Sequence, residues 1–292
     1  MNIALYCRNI KEADMPVLQK ILDTLSKRKI GVFIYKDFFE SVWKQIKTRS
    51  GISTFSSHED IENTVDYMFS LGGDGTLLDT ICFVRHHMIP VMGINIGRLG
   101  FLANIGKENI EAAIDAIEKG SYVLDKRTMV ELESNKPLFS DVPYALNDIT
   151  IHKKDTSAMI TIHTYINGEL LNSYWADGLI ISTPTGSTAY SLSCGGPIIM
   201  PTSENFVITP IAPHNLNVRP MVVSDSSVIS FEIEGRFEKF LCTLDSRTEP
   251  IDSSYQLAVK KSDHIISLVR LSDHPFLDTI RRKLMWGADA RK

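Results

Sequence analysis

The apolar run "VDYMFSL" (65–71) passes without a break into "LGGDGT" (71–76), and "LLDTICFVRH" (77–86) follows at once. A buried strand that ends in a glycine loop and continues as a helix is part of a βαβ unit. Such a unit demands a parallel sheet with helices on its faces. The rest of the first 120 residues keeps the same alternation. "NIALYC" (2–7) reads as a strand, and Val17, Leu18, Ile21, Leu22 and Leu25 place a helix over 15–28. Gly31 ends that helix, and "VFIYK" is the next strand. "PVMGIN" (90–95) is a fourth strand, and "ENIEAAIDAIEKG" is a helix closed by Gly120.

The pattern changes after residue 120. "YVLDKRTMVELES", "YALNDITIHK", "MITIHTYI", "SVISFEIEG", "KFLCTLDS", "YQLAVKK" and "HIISLVR" all read as strands, many with alternating polarity. Asn167-Gly168 is a hairpin turn between "AMITIHTYI" and "ELLNSYW". Helical spacing returns in "PFLDTIRRKLMWG" through Phe276, Ile280, Leu284 and Met285. The expectation is an α/β Rossmann-like N-terminal domain, residues 1–120 with 270–292, carrying the glycine loop. Residues 121–269 then form an all-β sandwich, and the Ser/Thr/Gly-rich stretch 48–60 is a loop.

The 292 residues carry a formal net charge of −4, which argues against a sequence-independent nucleic-acid binder. No apolar run approaches the roughly 20 residues needed to span a bilayer. The start "MNIALYCRNI" lacks the features of a signal peptide. Cys7, Cys82, Cys194 and Cys242 are scattered, as expected of free thiols in a reducing cytoplasm. Neither these cysteines nor the eight histidines have metal-ligand spacing, so no dedicated protein metal site is expected.

Three segments carry chemistry. In "LGGDGT", Gly72, Gly73 and Gly75 remove side-chain bulk so that amide N–H groups can face anionic oxygens. The plainer reading is a tight turn with Asp74 as a helix cap. No Walker motif occurs, and "GINIGRLG" is not spaced as a dinucleotide fingerprint. The second segment is "DGLIISTPTGSTAYSLSCGGPI" (177–198). Its Ser182, Thr183, Thr185, Ser187, Thr188, Ser191 and Ser193 offer hydroxyls, and Tyr190 offers an aromatic face. That surface suits a ligand rich in hydroxyls, amides and phosphates. The third is "LNDIT" (146–150), where Asn147 and Asp148 can grip a ribose or base edge or form a turn.

In chain order, "GGDGT", "ND" and "DGLIISTPTGSTAYSLSCGGPI" resemble the segments of NAD kinases, as do "NIGRLGFL" (95–102), "PIAPHNLNVRP" (210–220) and "RRKLMWG". The long hydroxyl-rich segment is the specific one. "GGDGT" is shared with diacylglycerol kinases, related lipid kinases and phosphofructokinases. The resemblance implies an active site between the two domains. It implies transfer of the ATP γ-phosphoryl group to the 2′-hydroxyl of the adenosine ribose of NAD, with a divalent cation such as Mg2+. By the same resemblance Asp74 is the catalytic aspartate, and Gly72, Gly73, Gly75 and Thr76 form the phosphate loop. Phe101 and Leu102 line the adenine pocket, and Asn147 and Asp148 hold the adenine and its ribose. Asp177 contacts the nicotinamide half, and Thr185, Thr188, Ala189, Tyr190 and Ser193 supply further dinucleotide contacts. The partners implied are NAD and ATP in a homo-oligomer, a dimer or tetramer.

Four positions depart from the family pattern. Asp148 stands where many members have Glu, Trp175 where many have Arg, and Cys194 where alanine is usual. "LDSR" (244–247) stands near a usual Asp-Gly-Gln, and no role is carried over to it. A lipid kinase sharing "GGDGT" is the alternative, but no acyl-binding or membrane-facing stretch is evident. A non-catalytic NAD-binding regulator is the third possibility, and the intact Asp74 argues against it.

Overall fold

The computed structural model describes residues 1–47, 51–85, 87–154, 158–235, 239–271 and 276–285. The chain divides into two compact units, Met1–Lys126 with Ile266–Lys292, and Arg127–Ile265.

The first unit runs β1 (Asn2–Tyr6), α1 (Met15–Lys27), β2 (Gly31–Tyr35), α2 (Lys36–Val42), β3 (Ile52–Phe55), β4 (Tyr67–Gly72), α3 (Asp74–Val84), β5 (Val91–Asn95), β6 (Ile105–Gly106) and α4 (Ile110–Lys119). The strands pair in parallel in the order β5-β4-β1-β2-β3, with β6 beside β5. The chain leaves β1 towards β2 and β3, then returns to β4 on the other flank. The carboxyl ends of β1 and β4 therefore face the switch point, where open α/β sheets bind ligands. β5 is buried at every residue, as a strand covered on both faces must be. α1 turns Leu18, Ile21, Leu22 and Leu25 into the same core as Ile110, Ala113, Ile114 and Ile117 of α4. Each fully buried Leu or Ile contributes about 1.5–3 kcal/mol.

Two local expectations are corrected. Part of the 48–60 stretch is not loop: Ile52–Phe55 is the edge strand β3, because Phe55 (1% exposed) fills an aromatic cluster with Tyr35 and Phe83. Lys36 is not the end of a strand. It starts α2, whose Phe38 and Val42 are buried.

The second unit runs β7 (Val123–Ser134), β8 (Tyr144–Ala145), β9 (Asp148–Lys153), β10 (Ile160–Ile166), β11 (Glu169–Ala176), β12 (Gly178–Ser182), α5 (Tyr190–Ser193), β13 (Asn205–Ile211), β14 (Met221–Ser224), β15 (Ile229–Glu234), β16 (Phe240–Leu244), β17 (Arg247–Ile251) and β18 (Leu257–Arg270). One antiparallel sheet has the order β14-β13-β12-β9-β16-β17. The facing strands are β11-β10-β15-β18, with β7 beside β18. Ile160, Ile162, Phe231 and Ile233 meet Ile149, Leu179, Ile181 and Phe206 in one core, so the unit is a sandwich. Asn167 and Gly168, at φ 51° and 86°, make the expected tight turn between β10 and β11.

β18 is one strand where the sequence suggests two, and its Leu268 pairs in parallel with Val91 of β5. α6 (Phe276–Leu284) belongs to the first unit and buries Phe276, Thr279 and Ile280. Trp286 and Gly287, which end the expected closing helix, lie outside the described residues.

Candidate functional site

In the first unit the site is the turn from β4 into α3. Gly73 is the residue before the helix, Asp74 is its first residue, and Gly73 and Gly75 are exposed. The opening amides of a helix have no partner within it, so they face the switch point as anion donors. A Cβ on Gly72 would lie 2.3 Å from Thr76 Oγ1, so the turn closes this tightly only with glycine there. Arg8, just past β1, makes a bidentate pair with Asp79 of α3. Its Nη1 lies 3.8 Å from where a Cβ on Gly75 would be.

Asp74 does not cap its own helix. Its carboxylate accepts backbone N–H groups from Phe101 (2.8 Å), Leu102 (2.9 Å) and Ala103 (2.9 Å). A fourth donor is Lys283 of α6, 3.2 Å from Oδ2. A Cβ on Gly100 would stand 2.0 Å from Asp74 Oδ1, so the 100–103 loop wraps the carboxylate only because residue 100 is glycine. Phe101 and Leu102 are buried, with the Lys283 ammonium 4.6 Å from the Phe101 ring centre. The catalytic candidate and the two adenine-pocket candidates thus form one cluster. Sequence reasoning missed Lys283. Its neighbours Arg281 and Arg282 pair with Asp278 of their own helix, and nothing in the local pattern sets Lys283 apart.

In the second unit, the loop after β12 folds onto the loop before β9. Thr183 N–H donates to the Asn147 carbonyl (2.9 Å) and Thr183 Oγ1 to the Leu146 carbonyl (2.6 Å). A Cβ on Gly186 would lie 2.1 Å from the Asn147 carbonyl oxygen. This contact packs the Thr183–Gly186 turn against Asn147. Asp177, at the entry to β12, pairs with Lys153 Nζ at 2.5 Å.

Most of the hydroxyls in this segment hydrogen-bond within the loop and its neighbours. Ser182, Thr183, Ser187 and Ser191 are buried. Ser187 Oγ donates to the Pro184 carbonyl and accepts from Ile199 N–H, and Ser191 bonds Thr209. Thr185 Oγ1 accepts from the buried Arg127, a second residue that sequence reasoning missed. The parts left open are Tyr190 and Ser193, with Thr188 and Ala189 half-buried.

Asp148 is buried, with Thr150 Oγ1 at 3.1 Å. Burial, and then the charge of Asp245, push its carboxyl up to about 7. Asp245 sits in the β16–β17 turn and accepts N–H groups from Leu146 (2.9 Å), Asn147 (2.8 Å) and Asp148 (3.3 Å). Burial raises its carboxyl too, against the three amides and Arg247. Asp245 therefore fixes the Asn147–Asp148 backbone, a role not legible in "LDSR". Burial raises the Tyr190 phenol, helped by the charges of Cys194, Asp148 and Asp177.

Among the described residues, no three His, Cys, Asp or Glu side chains cluster to hold a metal ion. Asp74 is engaged by amides and an ammonium, so its surroundings do not fit a resident cation. Among the described residues no helix is long and apolar enough to cross a membrane.

Residues 3–122 match the ATP-NAD kinase N-terminal domain, and residues 146–271 match the ATP-NAD kinase C-terminal domain. The chain is 51% identical over 292 residues to the NAD kinase of Cytophaga hutchinsonii, covering 100% of both chains. It is 43% identical over 293 residues to that of Flavobacterium psychrophilum, again covering 100% of both. Among solved structures, yeast NADH kinase complexed with NADH superposes with a TM-score of 0.88 at 24% identity, covering 99% of this chain and 88% of that one. An NAD kinase from Archaeoglobus fulgidus in complex with ATP superposes with a TM-score of 0.74 at 24% identity, covering 98% and 99%.

Proposed function

The chain belongs to the NAD kinase family, and we propose that it carries out the family's reaction with Asp74 as the group that receives the acceptor proton. The reaction transfers the ATP γ-phosphoryl group to the 2′-hydroxyl of the adenosine ribose of NAD, giving NADP. The ribose O2′–phosphorus bond forms while the bond from the γ-phosphorus to the β,γ-bridging oxygen breaks. That electron pair leaves with ADP, and the 2′-hydroxyl proton passes to the Asp74 carboxylate. Phosphoryl transfer is largely dissociative, so little proton removal is needed early. Asp74 orients the hydroxyl and takes its proton late, a role that contributes about 10²–10⁴ in rate.

The observation that carries this reading is a carboxylate at the switch point, fixed by three backbone amides beside a helix N-terminus. Gly72, Gly73, Gly75 and Thr76 shape the loop that meets the ATP phosphates. The divalent cation arrives with ATP as part of that substrate. Phe101 and Leu102 bound the adenine. Asn147 and Asp148 hold the adenine and its ribose, and Asp177, Thr185, Thr188, Ala189, Tyr190 and Ser193 complete the dinucleotide contacts.

The protein acts in the cytoplasm as a homo-oligomer. Four free cysteines support the first, and the exposed Trp175, Leu216, Met221 and Val222 of the second unit support the second. ATP-dependent appearance of NADP from NAD tests the activity. Its absence with pure protein, NAD, ATP and Mg2+ defeats the reading.

A further inference from the structure

The carboxylate of Asp74 has no acceptor site to spare. Oδ1 takes the N–H groups of Leu102 and Ala103, and Oδ2 takes that of Phe101 and the ammonium of Lys283. An ionised carboxylate offers about four lone-pair sites, and here each has a donor. A substrate hydroxyl can reach Asp74 only by displacing one of them.

Three of the four are poor candidates for displacement. The amides belong to one buried turn, with Ala103 at 0% exposure. Gly100 N–H closes the turn onto the Ala103 carbonyl at 3.2 Å, and Asn95 Nδ2 donates to the same carbonyl at 3.2 Å. Releasing an amide would open the turn. Lys283 differs in each respect. It reaches in from α6 on a flexible stem, its bond is the longest of the four, and its side chain is one-third exposed. The Phe101 ring, 4.6 Å away, keeps an ammonium nearby when it leaves Oδ2.

We propose that Lys283 holds the place on Asp74 Oδ2 that the acceptor hydroxyl takes in the reaction. It yields this place to the ribose 2′-hydroxyl and turns its charge to the phosphoryl oxygens in transfer. The proposal rests on Asp74 receiving the acceptor proton. It also accounts for a carboxylate in a phosphate loop: a protein cation neutralises it.

The test compares the parent with Lys283→Met and Lys283→Arg, after NADP formation by the parent has been verified. A parent that makes no NADP defeats the assignment of activity, not the exchange. Dissociation constants for NAD are measured without ATP, and kcat and KM with ATP. Lys283→Met is expected to bind NAD at least as tightly as the parent, because a competitor for Oδ2 is gone. Its kcat is expected to fall at least ~10-fold, the loss of a donor to the developing charge. Lys283→Arg is expected to restore most of kcat, since it keeps the charge. A kcat for Lys283→Met within about twofold of the parent overturns the proposal, as does a kcat loss matched by NAD affinity and not rescued by arginine. A crystal structure of the NAD complex gives an independent reading: Lys283 still on Asp74 Oδ2, with the 2′-hydroxyl elsewhere, is incompatible with the exchange.

Discussion

Replacing Asp148 by asparagine is expected to stabilise the protein at alkaline pH while weakening NAD binding. The carboxyl is pushed up from an ordinary 3.8 to about 7 by burial and by Asp245. The unfolded chain releases this proton near 4 and the folded chain near 7. Between those values the folded state holds the extra proton, so stability falls as pH rises through the window, and the full deficit is present above it. About three units at 1.36 kcal/mol each set a ceiling of about 4 kcal/mol. A buried amide needs partners of its own, so a net gain of about 1–3 kcal/mol is expected at pH 8. At pH 5 the folded carboxyl is neutral but the unfolded one is already ionised, so the advantage of asparagine is smaller by about 2.7 kcal/mol than at pH 8 and is lost in full only below about pH 4. The assay is thermal unfolding of parent and variant at both pH values, where 1 kcal/mol moves Tm by roughly 2–4 °C for 150–250 residues. Equal Tm differences at the two pH values refute the reasoning. A lost hydrogen bond to a charged group is worth about 1.5–3 kcal/mol, so NAD binding at pH 8 should weaken about 10- to 150-fold.

Asp74→Asn is expected to retain NAD binding but to form NADP at least ~10²-fold more slowly; near-normal turnover removes the proton-receiving role. Tyr190→Ala is expected to raise KM for NAD with little effect on KM for ATP, and steady-state kinetics with each substrate varied reads both. Gly186→Ala places a methyl group against the Asn147 carbonyl. It is expected to cost about 1–3 kcal/mol in unfolding and to raise KM for NAD, since the Asn147–Asp148 loop must move. An unchanged Tm shows that the contact is not tight.

The elements that periodicity dominates were legible in the sequence. Leu18, Ile21, Leu22 and Leu25 announce α1, and the alternation in "ITIHTYI" announces β10. β3 was not legible, because its four residues become a strand by pairing with β2 and burying Phe55. The motifs pointed to the Asp74 turn in the first unit and to the Asn147–Asp148 and 177–198 segments in the second, but not to the division of labour within them. Ser187 and Ser191 look the same in sequence as Ser193, yet the first two are buried struts and the third is exposed. Asp245 and Lys283 act over 97 or more residues of sequence separation, on Asp148 and Asp74 respectively. No local pattern encodes a partner that distant.

The length of the Asp74 side chain follows from the same cluster. The carboxylate, in the proposed role the group that receives the proton, is also the anchor of the loop that bears Phe101 and Leu102. In the proposed reaction the loop that bears Phe101 and Leu102 then sets the distance from acceptor hydroxyl to base. A glutamate at this position would carry the carboxylate about 1.5 Å farther, one carbon–carbon bond. The three amides span one turn closed by Gly100, where even a methyl group would meet Asp74 Oδ1 at 2.0 Å. The longer side chain could not keep all three amides without opening that turn and moving Phe101 and Leu102 with it. Anchoring three amides of one closed turn on a single carboxylate is what demands the shorter acid here.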